Sequence, residues 1–204
     1  MFDNIKQQEV LLIVGNDKIS NFLVNKLNQK ASNTSIIRDK TLGIKKLFKL
    51  IFISKSVKMN IFVTLFFSEL FRKNFKIPKL DAFKNQNDLE ILLKIYNPKI
   101  IFVFRGSYIY PKDLLDKYEI MNLHCADIAN KNYRGLGSIY KSLKNKDPNP
   151  KVTLHKVAPK IDEGKIILQC DYKFSFEKSY SFNENVAYNT GIEFISNLLL
   201  NIKK

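Results

Sequence analysis

Apolar and polar positions along the 204 residues fall into short blocks that alternate between strand-like and helix-like spacing. Glu9-Val10-Leu11-Leu12-Ile13-Val14-Gly15 is an apolar run that ends in Gly and Asn16, a pattern that predicts a buried strand. Asp17 stands where a helix cap is expected, and Ile19, Phe22, Leu23 and Leu27 keep a helical spacing behind it. Ser35-Ile36-Ile37-Arg38 predicts a short strand. Asp88–Tyr96 is helical by period and is closed by Asn97-Pro98. Lys99–Phe104 is a second apolar strand, Asp113–Tyr118 a short helix, and Met121–Asp127 a strand that runs into a loop. A flexible loop at Tyr133–Ser138 leads to a helix beginning at Ile139. Past the turn cluster Asp147-Pro148-Asn149-Pro150, Val152–Val157 alternates as a strand should. Pro159–Gly164 forms a turn, Lys165–Cys170 a further strand, and Glu184–Leu200 a closing helix.

Strand, Gly-Asn turn and helix open the chain in the manner of a doubly wound α/β domain with a mainly parallel, helix-flanked sheet. No repeat or linker divides the sequence, so residues 1–204 read as one domain. Residues 41–76 are less decided. Leu47–Ile53 mixes strand and helix signals, and Ile61–Phe67 is another apolar run, for which core elements are preferred over a basic membrane-surface segment. No window reaches the roughly 18 apolar residues of a membrane span.

Composition alters this picture in one respect. The formal net charge is +15, but only Arg38, Arg72, Arg105 and Arg134 are arginine, and the lysines are scattered without a compact cluster. Such a distribution is as well explained by compositional bias as by a nucleic-acid surface, while a positive field favours small anionic substrates. The two cysteines, Cys125 and Cys170, and an N-terminus without the apolar core of a secretion signal point to reduced thiols in a cytoplasm. The histidines and cysteines show no C-x-x-C or H-x-x-x-H spacing, so no metal site is expected.

Candidate chemistry begins at Asn122-Leu123-His124. Strand alternation puts Asn122 and His124 on one face and Leu123 and Cys125 on the other. An amide can donate to a developing oxyanion and an imidazole can move a proton, as acyl transfer requires. Cys125, turned away, reads as a buried structural thiol. Asp162 sits in the turn between two later strands, and His155 shares a face with Thr153 as a hydrogen-bonded neighbour of the site. The Gly15-Asn16 turn is either an anion-binding helix start or a tight turn only.

The order Asn122-Leu123-His124, Tyr133-Arg134-Gly135, Thr153-Leu154-His155 and Ile161-Asp162-Glu163-Gly164-Lys165-Ile166-Ile167 resembles the formyltransferases that use N10-formyltetrahydrofolate, from about Phe104 to Gln169. The resemblance implies a single Rossmann-like formyltransferase domain. It implies Asn122, His124 and Asp162 as the catalytic set: His124 as general base, Asn122 as oxyanion donor, and Asp162 orienting and charging the histidine. It also implies Ser107, Tyr108, Ile109, Lys160 and Ile161 beside the folate donor, with Tyr133, Arg134 and Gly135 beside the acceptor and no metal. Many members follow the histidine with Pro-Ser-Leu-Leu-Pro, where this chain has Cys125-Ala126-Asp127-Ile128-Ala129. That departure makes the expected acceptor the primary amine of a nucleotide-linked amino sugar, as in lipopolysaccharide O-antigen biosynthesis. Glycinamide ribonucleotide is the alternative acceptor. Methionyl-tRNA is less favoured, because that branch adds a C-terminal domain. A non-catalytic nucleic-acid-binding protein on the same fold is the alternative of another class. A homodimer is compatible with this reading.

Overall fold

The computed structural model describes residues 6, 9–30, 34–42, 63 and 67–202. Its strands are β1 (Val10–Val14), β2 (Ser35–Asp39), β3 (Asp81–Phe83), β4 (Ile100–Phe104), β5 (Glu119–His124), β6 (Lys151–Lys156) and β7 (Ile166–Asp171). Its helices are α1 (Lys18–Gln29), α2 (Gln86–Tyr96), α3 (Lys112–Lys117), α4 (Ser138–Lys144) and α5 (Tyr180–Asn201). The seven strands form one sheet in the order β3-β2-β1-β4-β5-β6-β7. The first five in that order are parallel, β6 runs antiparallel to β5, and β7 antiparallel to β6.

Every residue of β1 and β4 is buried, as the continuous apolar runs require when helices cover both faces of a parallel sheet. Alternation divides the core. Leu12, Phe102, Phe104, Leu123 and Leu154 pack with Leu23 of α1 and Ile192, Ile195 and Leu199 of α5. Leu11, Ile13, Ile101 and Val103 pack on the other face with Leu89 and Leu93 of α2 and Leu114 of α3. Cap chemistry sets the helix ends: Asp17 accepts from the Ser20 amide at 2.8 Å, Asn85 accepts from Asp88, and Asn97 ends α2 at φ 40°.

Two differences from the sequence pattern have local causes. β3 is unexpected, because only Phe83 of its three residues is buried and no alternation is visible. α5 begins at Tyr180 rather than Glu184, since Ser179 caps it by accepting from the Phe182 amide. The run Leu47–Ile53 lies outside the described residues. Of Ile61–Phe67 only Val63 and Phe67 are described, and both are helical and exposed. With Leu70 and Phe71 also exposed, the described apolar residues of this region do not enter the core expected for them.

The chain leaves β1 toward β2 on one side and enters β4 on the other. The carboxyl ends of β1 and β4 therefore form the topological switch point where doubly wound sheets ordinarily bind ligands. Gly15 closes that point. A Cβ there would stand 2.4 Å from the Arg105 carbonyl oxygen, so only glycine allows the two strand ends to approach. Among the described residues no helix is long and apolar enough to cross a membrane.

Candidate active site

β5 and β6 are antiparallel neighbours in a register that sets Asn122 opposite His155 and His124 opposite Thr153. Leu123 and Cys125 turn into the core, where the Cys125 sulfur lies against Gly191 of α5, so a Cβ added to that glycine would meet it at 2.8 Å. Burial pushes the Cys125 thiol up to about 12, and an inert core cysteine is the result.

On the other face the polar groups converge. Asn122 Nδ2 lies 3.2 Å from His155 Nε2, and His155 Nδ1 lies 2.8 Å from the Lys156 carbonyl. A carbonyl only accepts, so His155 carries its proton on Nδ1 and takes a hydrogen bond from the Asn122 amide at Nε2. The same rule applied to His124, whose Nε2 is 3.0 Å from the Tyr133 carbonyl, leaves Nδ1 as its free base. That nitrogen faces Asp162 Oδ2 at 3.4 Å, and Asp162 Oδ1 faces His155 Nε2 at 3.5 Å. The Gly135 amide donates to Asp162 Oδ2 at 2.8 Å. One carboxylate thus joins two histidines and the loop after β5.

The turn that delivers Asp162 is sterically defined. Asp162 itself adopts φ 53°, and a Cβ on Gly164 would stand 1.6 Å from the Lys156 carbonyl oxygen. Gly164 is therefore required for the β6–β7 turn to fold back over the end of β6. Electrostatics follow from this enclosure. Burial would raise the Asp162 carboxyl, but His155 and His124, which favour the carboxylate when a proton is on the nitrogen facing it, and the Gly135 amide outweigh it and hold it low. Burial lowers the His124 pKa, against opposing pulls from Asp162 and the Tyr133 carbonyl. A neutral imidazole beside an ionised carboxylate can accept a proton and hold it as an ion pair.

A cavity of about 160 Å³ opens beside this group. Gly106, Ser107, Tyr108, Ile109 and Tyr110 from the loop after β4 form one wall, and Pro159, Ile161 and Asp162 form another, with Asn122 and His155 at the base. Of the residues read as donor-binding, Ser107, Tyr108, Ile109 and Ile161 line it. Lys160 does not; its ammonium is exposed, 3.9 Å from Glu163. Tyr133 is buried and turns its carbonyl to His124. Arg134 braces its own loop, donating to the Ile128 carbonyl at 2.9 Å and pairing with Glu163 at 3.5 Å. Gly135 enters the site through its amide. Among the described residues, no group of three or more His, Cys, Asp or Glu side chains is placed to hold a metal ion.

No protein-family model matches the chain. In sequence it is similar to the methionyl-tRNA formyltransferase of Rickettsia canadensis, 26% identical over 121 residues that cover 58% of this chain and 39% of that protein. The methionyl-tRNA formyltransferase of Borreliella burgdorferi is 28% identical over 123 residues, 59% of this chain and 38% of that protein. The chain thus spans well under half the length of these relatives. In structure it superposes on a sugar N-formyltransferase from a Shewanella species with TM-score 0.61 and 16% identity, over 95% of this chain and 69% of that one. It superposes on the phosphoribosylglycinamide formyltransferase of Anaplasma phagocytophilum with TM-score 0.63 and 13% identity, over 94% of this chain and 86% of that one. The chain has the formyltransferase fold.

Within the formyltransferase fold, the switch point of this chain is closed by its own charges. Glu69 Oε1 accepts from the Lys18 amide at 2.7 Å, at the first turn of α1 where Asp17 is already the cap. Arg72 links Glu69 at 2.7 Å to Glu184 at 2.8 Å, and Arg105 pairs with Asp17 at 2.8 Å and stacks 4.5 Å over the Tyr188 ring. The sequence pattern gave no warning of this network, because Glu69 reaches α1 from 51 positions away.

Proposed function

We propose that this chain transfers a formyl group from N10-formyltetrahydrofolate to the primary amine of a nucleotide-linked amino sugar. The convergence of Asn122, His124 and Asp162 beside a lined cavity supports the chemistry. Bound folate would supply the formyl carbon, and Ser107, Tyr108, Ile109 and Ile161 would hold its ring in the cavity. The cavity fits such a group in character, with aromatic and aliphatic walls broken by backbone and hydroxyl polar atoms. His124 takes the proton of the attacking amine at Nδ1, the nitrogen left free by the Tyr133 carbonyl. The new N–H then points at Asp162, which is ionised and ready to stabilise the imidazolium. Asn122, held by His155, offers its remaining amide hydrogen to the formyl oxygen as charge builds there; the bond from the formyl carbon to the folate nitrogen would then break, and that nitrogen would leave with the proton His124 took from the amine.

The closed α1 terminus supports the sugar acceptor over glycinamide ribonucleotide. Two carboxylates, Asp17 and Glu69, occupy the N–H groups that the Gly15-Asn16 turn would otherwise present to a phosphate. A second reading, with methionyl-tRNA as acceptor, is favoured by the names of the sequence relatives and by the net charge of +15. A formyl-transfer assay with N10-formyltetrahydrofolate and a panel of amino-sugar nucleotides, glycinamide ribonucleotide and methionyl-tRNA separates these readings. Transfer to an amino sugar is expected. Transfer confined to either other acceptor overturns the sugar assignment, and transfer to none overturns the activity.

A further inference from the structure

Asp39 ends β2 and is 2% exposed. It touches none of the residues named above as catalytic, yet it is the most heavily hydrogen-bonded carboxylate near the cavity wall. Its Oδ2 accepts from the Ser107 amide at 2.5 Å, the Ser107 hydroxyl at 3.0 Å and the Tyr108 amide at 2.9 Å. Its Oδ1 accepts from the Thr41 amide at 2.8 Å and the Thr41 hydroxyl at 2.7 Å. All five described donors are neutral, so no salt bridge explains why a carboxylate is retained there. What these bonds do is hold a loop.

The loop after β4 needs such a hold. Arg105 takes φ 59°, in the left-handed region, and turns the chain sharply out of the strand. Gly106 follows, where a Cβ would stand 2.5 Å from Val103 Cγ1. The next two amides, Ser107 and Tyr108, then point back into the protein and both end on one oxygen of Asp39. Tyr108 is set edge-on between Phe83 and Tyr110, with ring centroids 5.7 and 5.1 Å away. These same residues, 106–110, are the cavity wall. Two backbone N–H groups converging on a buried carboxylate fix that wall, because losing the acceptor would leave both amides unpaired.

We propose that Asp39 is a positioning residue that sets the shape of the donor pocket through Ser107 and Tyr108. The proposal rests on the reading of that cavity as the folate site, and it reaches further by assigning a determinant of donor affinity on a strand outside the site. Asn at this position could keep its one oxygen at the Ser107 and Tyr108 amides and turn its NH2 to Thr41, whereas Ala takes the acceptor away from every one of these donors.

The test is Asp39→Ala in the full chain, with three readouts. Hydrogen exchange at the Ser107 and Tyr108 amides is expected to quicken by about tenfold or more, while exchange in β1, β5 and α5 stays unchanged. Calorimetric binding of tetrahydrofolate is expected to weaken about tenfold, the size of one lost buried hydrogen bond. In turnover, KM for the folate donor is expected to rise while KM for the acceptor stays within about twofold. Thr41→Val, which removes a hydroxyl partner of Asp39 and lines no part of the cavity, gives a smaller shift in the same direction and serves if Asp39→Ala does not fold. Unchanged exchange at 107–108, or quickened exchange with unchanged tetrahydrofolate affinity, overturns the proposal. If the wild-type chain binds no tetrahydrofolate, the folate reading fails instead, and the exchange readout still decides whether Asp39 anchors the loop.

Discussion

Two places at the carboxyl edge of the sheet invite a ligand, and they are built in opposite ways. At the β1–β4 switch point Asp17, Arg105, Glu69, Arg72 and Glu184 satisfy one another, and the amides of α1 end on carboxylates. At the ends of β5 and β6 the groups are gathered but not matched. His124 has acceptors on both sides, and any neutral form of its ring leaves one of them without a proton. Matched charges make a stable corner; mismatched acceptors around a titratable ring make a place for a proton to arrive. On the proposed reading, position in the fold does not decide where the chemistry lies. The state of the hydrogen bonds does.

Asp162→Ala removes the carboxylate that faces both histidines, and is expected to lower kcat by about a thousandfold in the transfer assay while the chain still folds. Less severe is His155→Ala. It frees the Asn122 amide from its partner and removes the base of the cavity, and is expected to cost about 10- to 100-fold in kcat with a rise in KM for the donor as well. Asn122 truncated in the same background should add little, because the two act as one unit. The smallest effect is expected at the closed corner. Glu69→Ala removes a helix-terminal carboxylate and should lower the unfolding free energy by about 1 kcal/mol, read from denaturant midpoints, with kcat/KM within about twofold. A tenfold or larger loss of transfer in that variant would move the acceptor to α1 and erase the contrast between the two regions.

The sequence carried the fold in its apolar runs. β1 and β4 are legible because every residue of each is buried, and α1 because Asp17 and the spacing Ile19–Leu23–Leu27 agree. The shared face of Asn122 and His124 followed from strand alternation, while their proposed roles, and that of Asp162, came only with the motif. β3 was not legible, since a three-residue strand with one buried side chain has no period to detect. Nor were Asp39 and Glu69. Their partners lie 68 and 51 positions away, and only the packed sheet brings them together. His155 lies between these cases: alternation gave its face, but the antiparallel register that sets it opposite Asn122 is a tertiary fact.

In the proposed reaction a neutral His124 takes a proton beside an ionised Asp162. Because burial lowers the folded-state pKa of His124, the active, unprotonated ring persists below the ordinary histidine value of 6.5. The most direct measurement is kcat/KM for formyl transfer against pH, in the wild type and in His124→Ala. The wild-type rate should rise with pH to a plateau through a midpoint below 6.5, and His124→Ala should lose both the rate and that limb. A limb that survives in His124→Ala, or a wild-type midpoint well above 6.5, would contradict the assignment of His124 as the base.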